Sequence, residues 1–530
     1  MTSLNPTSLP SPKPAGDPTA LRDWPVHRLA LATLIAGFTL LRLLLAATTP
    51  LLPQEAYYWS WSQHPALSYF DHPPLASYGI GLTTAIFGST TFGIKLSAVL
   101  WSLGLNLLWA RLVLDMYDNR RLAFWSLLAL NLTLLYQVLG IGPAPDAPLL
   151  LGWVGTIWAV WQASRSGQGR WWLLAGVFAG LALLGKYSAV LLGPALLLYL
   201  VVTPSQRRWL RTPWPWVAML IAAAMFTPVV WWNAQHDWAS FAFQGSRRVG
   251  QMGGFKLRFF FLLLLTQVLL VTPWLFGLSL QAFWQATRDS FAGRTDARTR
   301  LLLASAAVPL LLFTLVSLRS HAKLNWLAPA WWSLIVLGMV AVLERGISAR
   351  RLAWGLGSSA AVLVVALVVM LTPNLPVLRD LNTWSGWDQA AQHVQRQLDD
   401  AQARGEQAFV FAPNYKISSL LRFHLPGQPR TYAQDIYGAR ALQFDYFPLD
   451  GDLKGATGIL VLSDQAQSRL NPARVAPYFD TLEKVDTIET RGFGRRTRRV
   501  EIWRGTGYKG HPRLDGPQGP AGDDPEPESE

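Results

Sequence analysis

WWLLAGVFAGLALLGKYSAVLLGPALLLYLVV, residues 171–202, is too long for one upright membrane span and short for two, and only Gly185-Lys186-Tyr187 interrupts it. Whether this stretch crosses once or twice decides which side of a membrane everything after it faces. The charges around it give the answer. Working outward, nine further apolar runs reach span length: 29–49, 92–114, 122–139, 147–163, 214–232, 259–284, 301–318, 324–343 and 352–372. With the N-terminus on the cytoplasmic side and a double crossing at 171–202, fifteen basic residues fall in inside links: Arg111, Arg120, Arg121, Arg165, Arg170, Arg207, Arg208, Arg211, Arg288, Arg294, Arg298, Arg300, Arg345, Arg350 and Arg351. Seven fall outside: Lys186, Arg247, Arg248, Lys256, Arg258, Arg319 and Lys323. That is the asymmetry of the positive-inside rule, and a single crossing would reverse it for Arg207–Arg211. The reading is a polytopic α-helical membrane protein of about eleven spans.

Composition agrees. The chain of 530 residues is 51% hydrophobic, 12% aromatic and only 15% charged, against about a quarter charged in soluble domains. The formal charge of +14 is spread through short links between apolar runs, as orientation charges are, so no nucleic-acid partner is expected. There is no cysteine, which excludes disulfides and thiolate metal sites. Residues 1–28 read as a polar, Pro-rich cytoplasmic tail without a small-residue cleavage site, so the first apolar run reads as a retained anchor. Residues 29–372 form the membrane domain. After residue 373 the pattern changes to a helix at 384–404 and strands at 408–412, 458–463 and 499–503, an external α/β domain ending near 505. The Gly/Pro/Asp/Glu-rich tail 506–530 has too little apolar content to fold.

The first outside link, residues 51–91, carries the richest chemistry. LLPQEAYYWSWSQHPALSYFDHPPLASYGIG (51–81) holds two acids, Glu55 and Asp71, seven aromatics and no basic residue. A carboxylate at an apolar boundary is costly to desolvate unless it has a partner or a task. Ionised, it only accepts hydrogen bonds, which suits deprotonating a hydroxyl or holding a sugar. Tyr57, Tyr58, Trp59 and Trp61 are the kind of surface a sugar ring packs on. His72-Pro73-Pro74 sets a rigid turn after Asp71. An interfacial helix with an aromatic belt and two solvated acids would give the same pattern.

QEAYYWSWSQHPALSYFDHPPLASY (54–78) resembles the first outside loop of the bacterial dolichyl-phosphate-mannose–protein mannosyltransferase superfamily, which includes the lipid A aminoarabinose and galacturonic acid transferases, all of GT-C fold. Similar echoes follow in order: GPAPDAPLLLGW (142–153), LLGKYSAVLL (183–192), HAKLNWLAPAWWSL (321–334) and FVFAPNYKISSLLRFHLPGQPRTY (409–432). The resemblance implies a transferase at the outer face of a bacterial inner membrane. Its donor would be a polyprenyl-phosphate-linked sugar and its acceptor lipid A, another envelope glycan or a protein, with inversion at the anomeric carbon. Family members usually place an Asp-Glu pair at the loop's start, with the Asp as proposed base; here the pair is Gln54-Glu55. The base role then falls to Glu55 and Asp71, or the acceptor is activated differently, or activity is lost.

Charge grows on a phosphate leaving group, so cations beside it stabilise the transition state over the ground state. Lys186 and Lys323 are the candidates, with His72 and His321 as further donors. For Lys186 the alternative is a snorkelling side chain. Arg42, in the outer part of the first span, either snorkels or reaches the same phosphate. Asp146 reads equally as a helix cap or a substrate contact. The histidines are scattered, so no metal or other cofactor is expected. Two other readings stay open: a transporter or flippase for a lipid-linked sugar, and a non-catalytic homologue serving as a binding or assembly subunit. The charges cluster at the outer face and no internal repeat is visible, which favours an enzyme over a transporter.

Overall fold

The computed structural model describes residues 28–247, 254–344, 346–372, 384–433, 441–448, 451–464 and 472–510, with 375 and 436. The expectations for residues 1–27, Arg248, Arg345 and the tail after 510 lie outside these. Hydropathy dictates the bulk of the chain. Five helices are long and apolar enough to cross a membrane, and up to eight spans result if each of three bent pairs counts as one.

The first ten helices run α1 Arg28–Thr48, α2 Pro53–Ser62, α3 Leu75–Phe87, α4 Thr91–Tyr117, α5 Arg120–Asn131, α6 Leu134–Ile141, α7 Asp146–Ser166, α8 Arg170–Gly185, α9 Leu192–Val202 and α10 Trp214–Gln235. Local chemistry sets their ends. The Thr90 hydroxyl accepts from Gly93 N–H at the start of α4, and Asn119 accepts from Arg121 and Leu122 N–H at the start of α5. Both are N-caps that satisfy otherwise orphaned donors.

The stretch 171–202 folds as two helices, α8 and α9. Small residues let α8 touch its neighbours through backbone. A methyl placed on Gly152 would lie 2.5 Å from Ala182 N, and one on Gly185 would lie 2.8 Å from Leu149 N, so α7 and α8 run antiparallel. Added methyls on Gly176 and Gly180 would meet Ala218 and Met225, so α8 and α10 run parallel. The chain between them must therefore return once, and α9 makes that return.

Two apolar runs and the first link differ from the sequence reading. Run 122–139 breaks into α5 and α6, bent 75°, because Thr133 caps a new helix by accepting from Tyr136 N–H. Run 259–284 breaks into α11 Leu257–Val271 and α12 Pro273–Phe291, bent 109°. Thr272 there takes a left-handed φ of 75° and Pro273 opens the next helix. The first link, read without a span, contains the apolar helix α3. Helices α13 Ala297–Ser317, α14 Ala328–Glu344 and α15 Ala349–Leu371 complete the membrane part.

The C-terminal part is a five-stranded sheet ordered β2-β1-β3-β5-β4, with β1 Ala408–Phe411, β2 Thr431–Tyr432, β3 Thr457–Ser463, β4 Thr481–Gly492 and β5 Arg495–Thr506. β1 pairs parallel with β2 and β3; β5 is antiparallel to β3 and β4. Helices α16 Trp387–Ala403 and α17 Tyr415–His424 cover it. This domain shares a continuous apolar core with α2: Tyr57, Trp59 and Trp61 are buried in one cluster with Trp387, Leu420 and Ile459. That junction sets the position of the candidate site.

Candidate active site at the end of the helix bundle

Helix α2 lies between the first two long apolar helices and buries nearly every side chain it carries. Glu55 is 4% exposed and Lys95, from the first turns of α4, 1%. Lys95 Nζ stands 3.0 Å from Glu55 Oε2. The same oxygen accepts from Leu52 N–H at 2.9 Å, which closes the start of α2. Burial pushes the Glu55 carboxyl up, while Lys95 and the Leu52 amide pull it down. The loop itself holds no base to pair with Glu55; the partner comes from the following helix. Lys95 was hidden inside an apolar run, and a lysine four residues into a span beside an unpaired acid was the available signal.

Asp71 is held differently. The Tyr57 hydroxyl donates to its Oδ2 at 2.5 Å and accepts from Gln443 N–H of the α/β domain at 3.0 Å. The Asp71 backbone oxygen accepts from the Gln244 side chain. Burial, then the charge of Asp71, pushes the Tyr57 hydroxyl well above its usual range, so Tyr57 stays a donor. Burial, then the charge of Asp71, pushes the Tyr58 hydroxyl well above its usual range, with Asp146 adding to the effect. His72 is half-buried with its ring 6.4 Å from that of Tyr58.

Asp146 opens α7 and Lys186 closes α8, so antiparallel packing brings them to the same end. Lys186 Nζ lies 2.8 Å from Asp146 Oδ1, and Asn325 donates to Asp146 Oδ2 at 2.6 Å. Asp146 is therefore neither a simple cap nor free, and Lys186 does not snorkel: both are buried. Of the motif 321–334, the residue that reaches this cluster is Asn325. His321 and Lys323 are exposed, and the His321 ring meets Phe259 at 6.3 Å.

Arg42 does not snorkel: it is 2% exposed. Its Nη2 donates to Asn131 at 2.6 Å, and a methyl on Gly140 would sit 2.5 Å from its Nε. Its Nε and Nη1 have no acceptor among the described residues. Arg42 ties α1 to the α5–α6 break.

The α/β domain adds a wall that sequence reasoning missed. The Tyr415 ring packs on Tyr57 with centroids 4.3 Å apart, and its hydroxyl stands 3.5 Å from Gln54 Oε1. Gln443 Oε1 accepts from Phe70 N–H at 2.7 Å, next to Asp71. Among the described residues no three His, Asp or Glu side chains group closely enough to hold a metal.

Comparison with known proteins places this arrangement. Residues 71–232 match the family model of dolichyl-phosphate-mannose-protein mannosyltransferases. Crystal structures of ArnT from Cupriavidus metallidurans superpose over 90% of this chain and 98% of theirs with a TM-score of 0.60, at 14% identity for the apo state and 13% for the state bound to undecaprenyl phosphate. The chain shares the fold of those two structures. Lipid A galacturonosyltransferase RgtD of Rhizobium johnstonii is 26% identical over 302 residues, which is 56% of this chain and 62% of that protein. The match thus spans less than two thirds of the curated relative's length. The matched region 71–232 includes Asp71, Asp146 and Lys186, whereas α2 and the external domain lie outside it.

Proposed function

We propose that this chain is a glycosyltransferase that moves a sugar from a polyprenyl-phosphate carrier to lipid A or a related envelope glycolipid. It works at the outer face of a bacterial inner membrane, with its N-terminus cytoplasmic and its α/β domain periplasmic. One observation carries the reading: an acid and a buried acid–lysine pair, Asp71 and Asp146–Lys186, both lie within electrostatic reach of the Tyr58 hydroxyl. Similarity to RgtD and ArnT supports the donor and acceptor classes.

In this mechanism Asp71 takes the proton of the acceptor hydroxyl as its oxygen attacks the anomeric carbon. The bond from that carbon to the carrier's phosphate oxygen breaks, and its electron pair stays on the phosphate. Attack opposite the leaving group inverts the centre. Tyr57 orients Asp71. Lys186 has three N–H donors, one turned to Asp146, and meets the growing phosphate charge with the others.

The departure at Gln54 favours one second reading, a homologue without transferase activity. Glu55 cannot simply replace the missing acid while Lys95 holds it. Mass spectrometry of lipid extracts from a deletion strain separates the two. Transfer predicts a lost glycan and accumulated lipid-linked sugar, both reversed by the wild-type gene and not by an Asp71→Asn copy. Reversal by the Asp71→Asn copy would remove the catalytic assignment.

A further inference from the structure

The strand pair β4–β5 outruns the sheet it belongs to. β3 pairs with β5 from Gly458↔Gly505 to Ser463↔Val500, whereas β4 and β5 stay paired as far as Gly492↔Arg495. The residues beyond Val500 form a two-stranded arm extending roughly 15 Å past the sheet, at the usual strand rise. Phe493 and Gly494 make its two-residue turn with φ of 51° and 75°. Such turns favour Asn or Gly, because both central residues are left-handed. A phenylalanine is doubly unfavourable here: its backbone is strained, and its ring is 74% exposed.

The arm is strongly basic. Residues 489–499 hold five arginines (Arg491, Arg495, Arg496, Arg498, Arg499) and one acid, Glu489, for a net charge of 5 − 1 = +4. Arg491 and Arg496 share Glu489 at 3.3 and 3.4 Å, and the Arg491 side chain is 68% exposed. Arg495 at the turn is exposed as well.

Topology gives the arm its direction. β1 and β3 are parallel, so their C-terminal ends share one end of the sheet, and β5 begins beyond that end. Tyr415, just past β1, meets Tyr57 of α2 there. The chain arriving from the last apolar helix reaches the arm too: a methyl on Gly386 would lie 2.6 Å from Thr490 Cγ2, and Arg498 stacks over Trp387 at 4.8 Å. The arm leaves the domain from the end docked on the helix bundle.

We propose that this arm touches the membrane surface, with Phe493 at headgroup level and Arg491, Arg495 and Arg496 on the phosphates of anionic lipids. Each basic residue near an anionic surface strengthens attachment about fivefold, and an aromatic ring is favoured at that depth. The contact would fix the external domain, and with it Tyr415 and Gln443, over α2.

The chain has no cysteine, so Phe493→Cys takes a single environment-sensitive fluorophore. The labelled full-length protein is placed in nanodiscs of phosphatidylcholine, or of phosphatidylcholine rich in phosphatidylglycerol, each containing headgroup nitroxide lipid. Quenching should be stronger in the anionic discs and fall in high salt. Replacing Arg491, Arg495 and Arg496 by Gln should weaken lipid contact on the order of a hundredfold; Glu489→Gln, which leaves every arginine in place, should strengthen it. Equal, weak quenching in both discs, or quenching indifferent to both charge variants, overturns the proposal. A response to soluble heparin in place of lipid would assign the arm to an anionic glycan and overturn it as well.

Discussion

Glu55 and Asp71 sit in one loop, both buried, both acids at an apolar boundary, yet the fold treats them oppositely. Glu55 meets a lysine and a helix-start amide. Asp71 meets the hydroxyl of Tyr57, which is itself held by a backbone amide of the α/β domain. The proton affinity of Glu55 is bound to the stability of its pair with Lys95, and losing either partner strands a charge. Asp71 is oriented instead by a hydroxyl that the external domain holds in place. The lesson is that residue type and loop position mark both acids, and the partner separates their tasks.

The largest expected effect tests the first half of that contrast. Glu55→Gln leaves Lys95 buried without its counter-charge and should destabilise the protein by about 3–5 kcal/mol, read from thermal unfolding in detergent. Adding Lys95→Met should recover most of the loss. If Glu55→Gln melts normally and only turnover falls, Glu55 is the catalytic acid and the contrast is inverted.

Next in size is Asp71→Asn, which should cut transfer by about a hundredfold or more with the melting temperature unchanged. Tyr57→Phe sharpens the same point. A donor to a carboxylate favours its charged form, so removing it raises the acid's pKa. The acidic limb of the pH–rate profile should move to higher pH, with a loss of about tenfold below it. An unmoved limb would detach Tyr57 from the base.

The smallest effect lies far from the site. Hydrogen bonds from Arg404, then Thr457 and Arg504, hold the Glu406 carboxyl down at about 2 against an ordinary 4.5. A depressed acid stabilises the fold above its unfolded pKa and loses that contribution as pH falls through the folded one. Glu406→Gln should therefore lower the α/β domain's melting point slightly at neutral pH, and the difference should shrink between about pH 4.5 and 2. A difference that grows on acidification would show that Glu406 is not held as an anion.

Hydropathy, run length and the placement of arginines settled by themselves that this is a helical membrane protein, that residues 171–202 hold two helices and that an α/β domain follows. Those are local or additive properties, legible along the chain. The acids, tyrosines and lysine of the site were legible as residue types for the same reason. Where helices break inside an apolar run was not, because Thr133 and Thr272 alter backbone geometry without changing hydropathy. Nor was pairing. Lys95 on Glu55, Asn325 on Asp146, Arg42 on Asn131 and Gln443 on Tyr57 join residues distant in sequence. Coulomb and hydrogen-bond energies depend on separation in space, which only the packed helices and the docked domain fix.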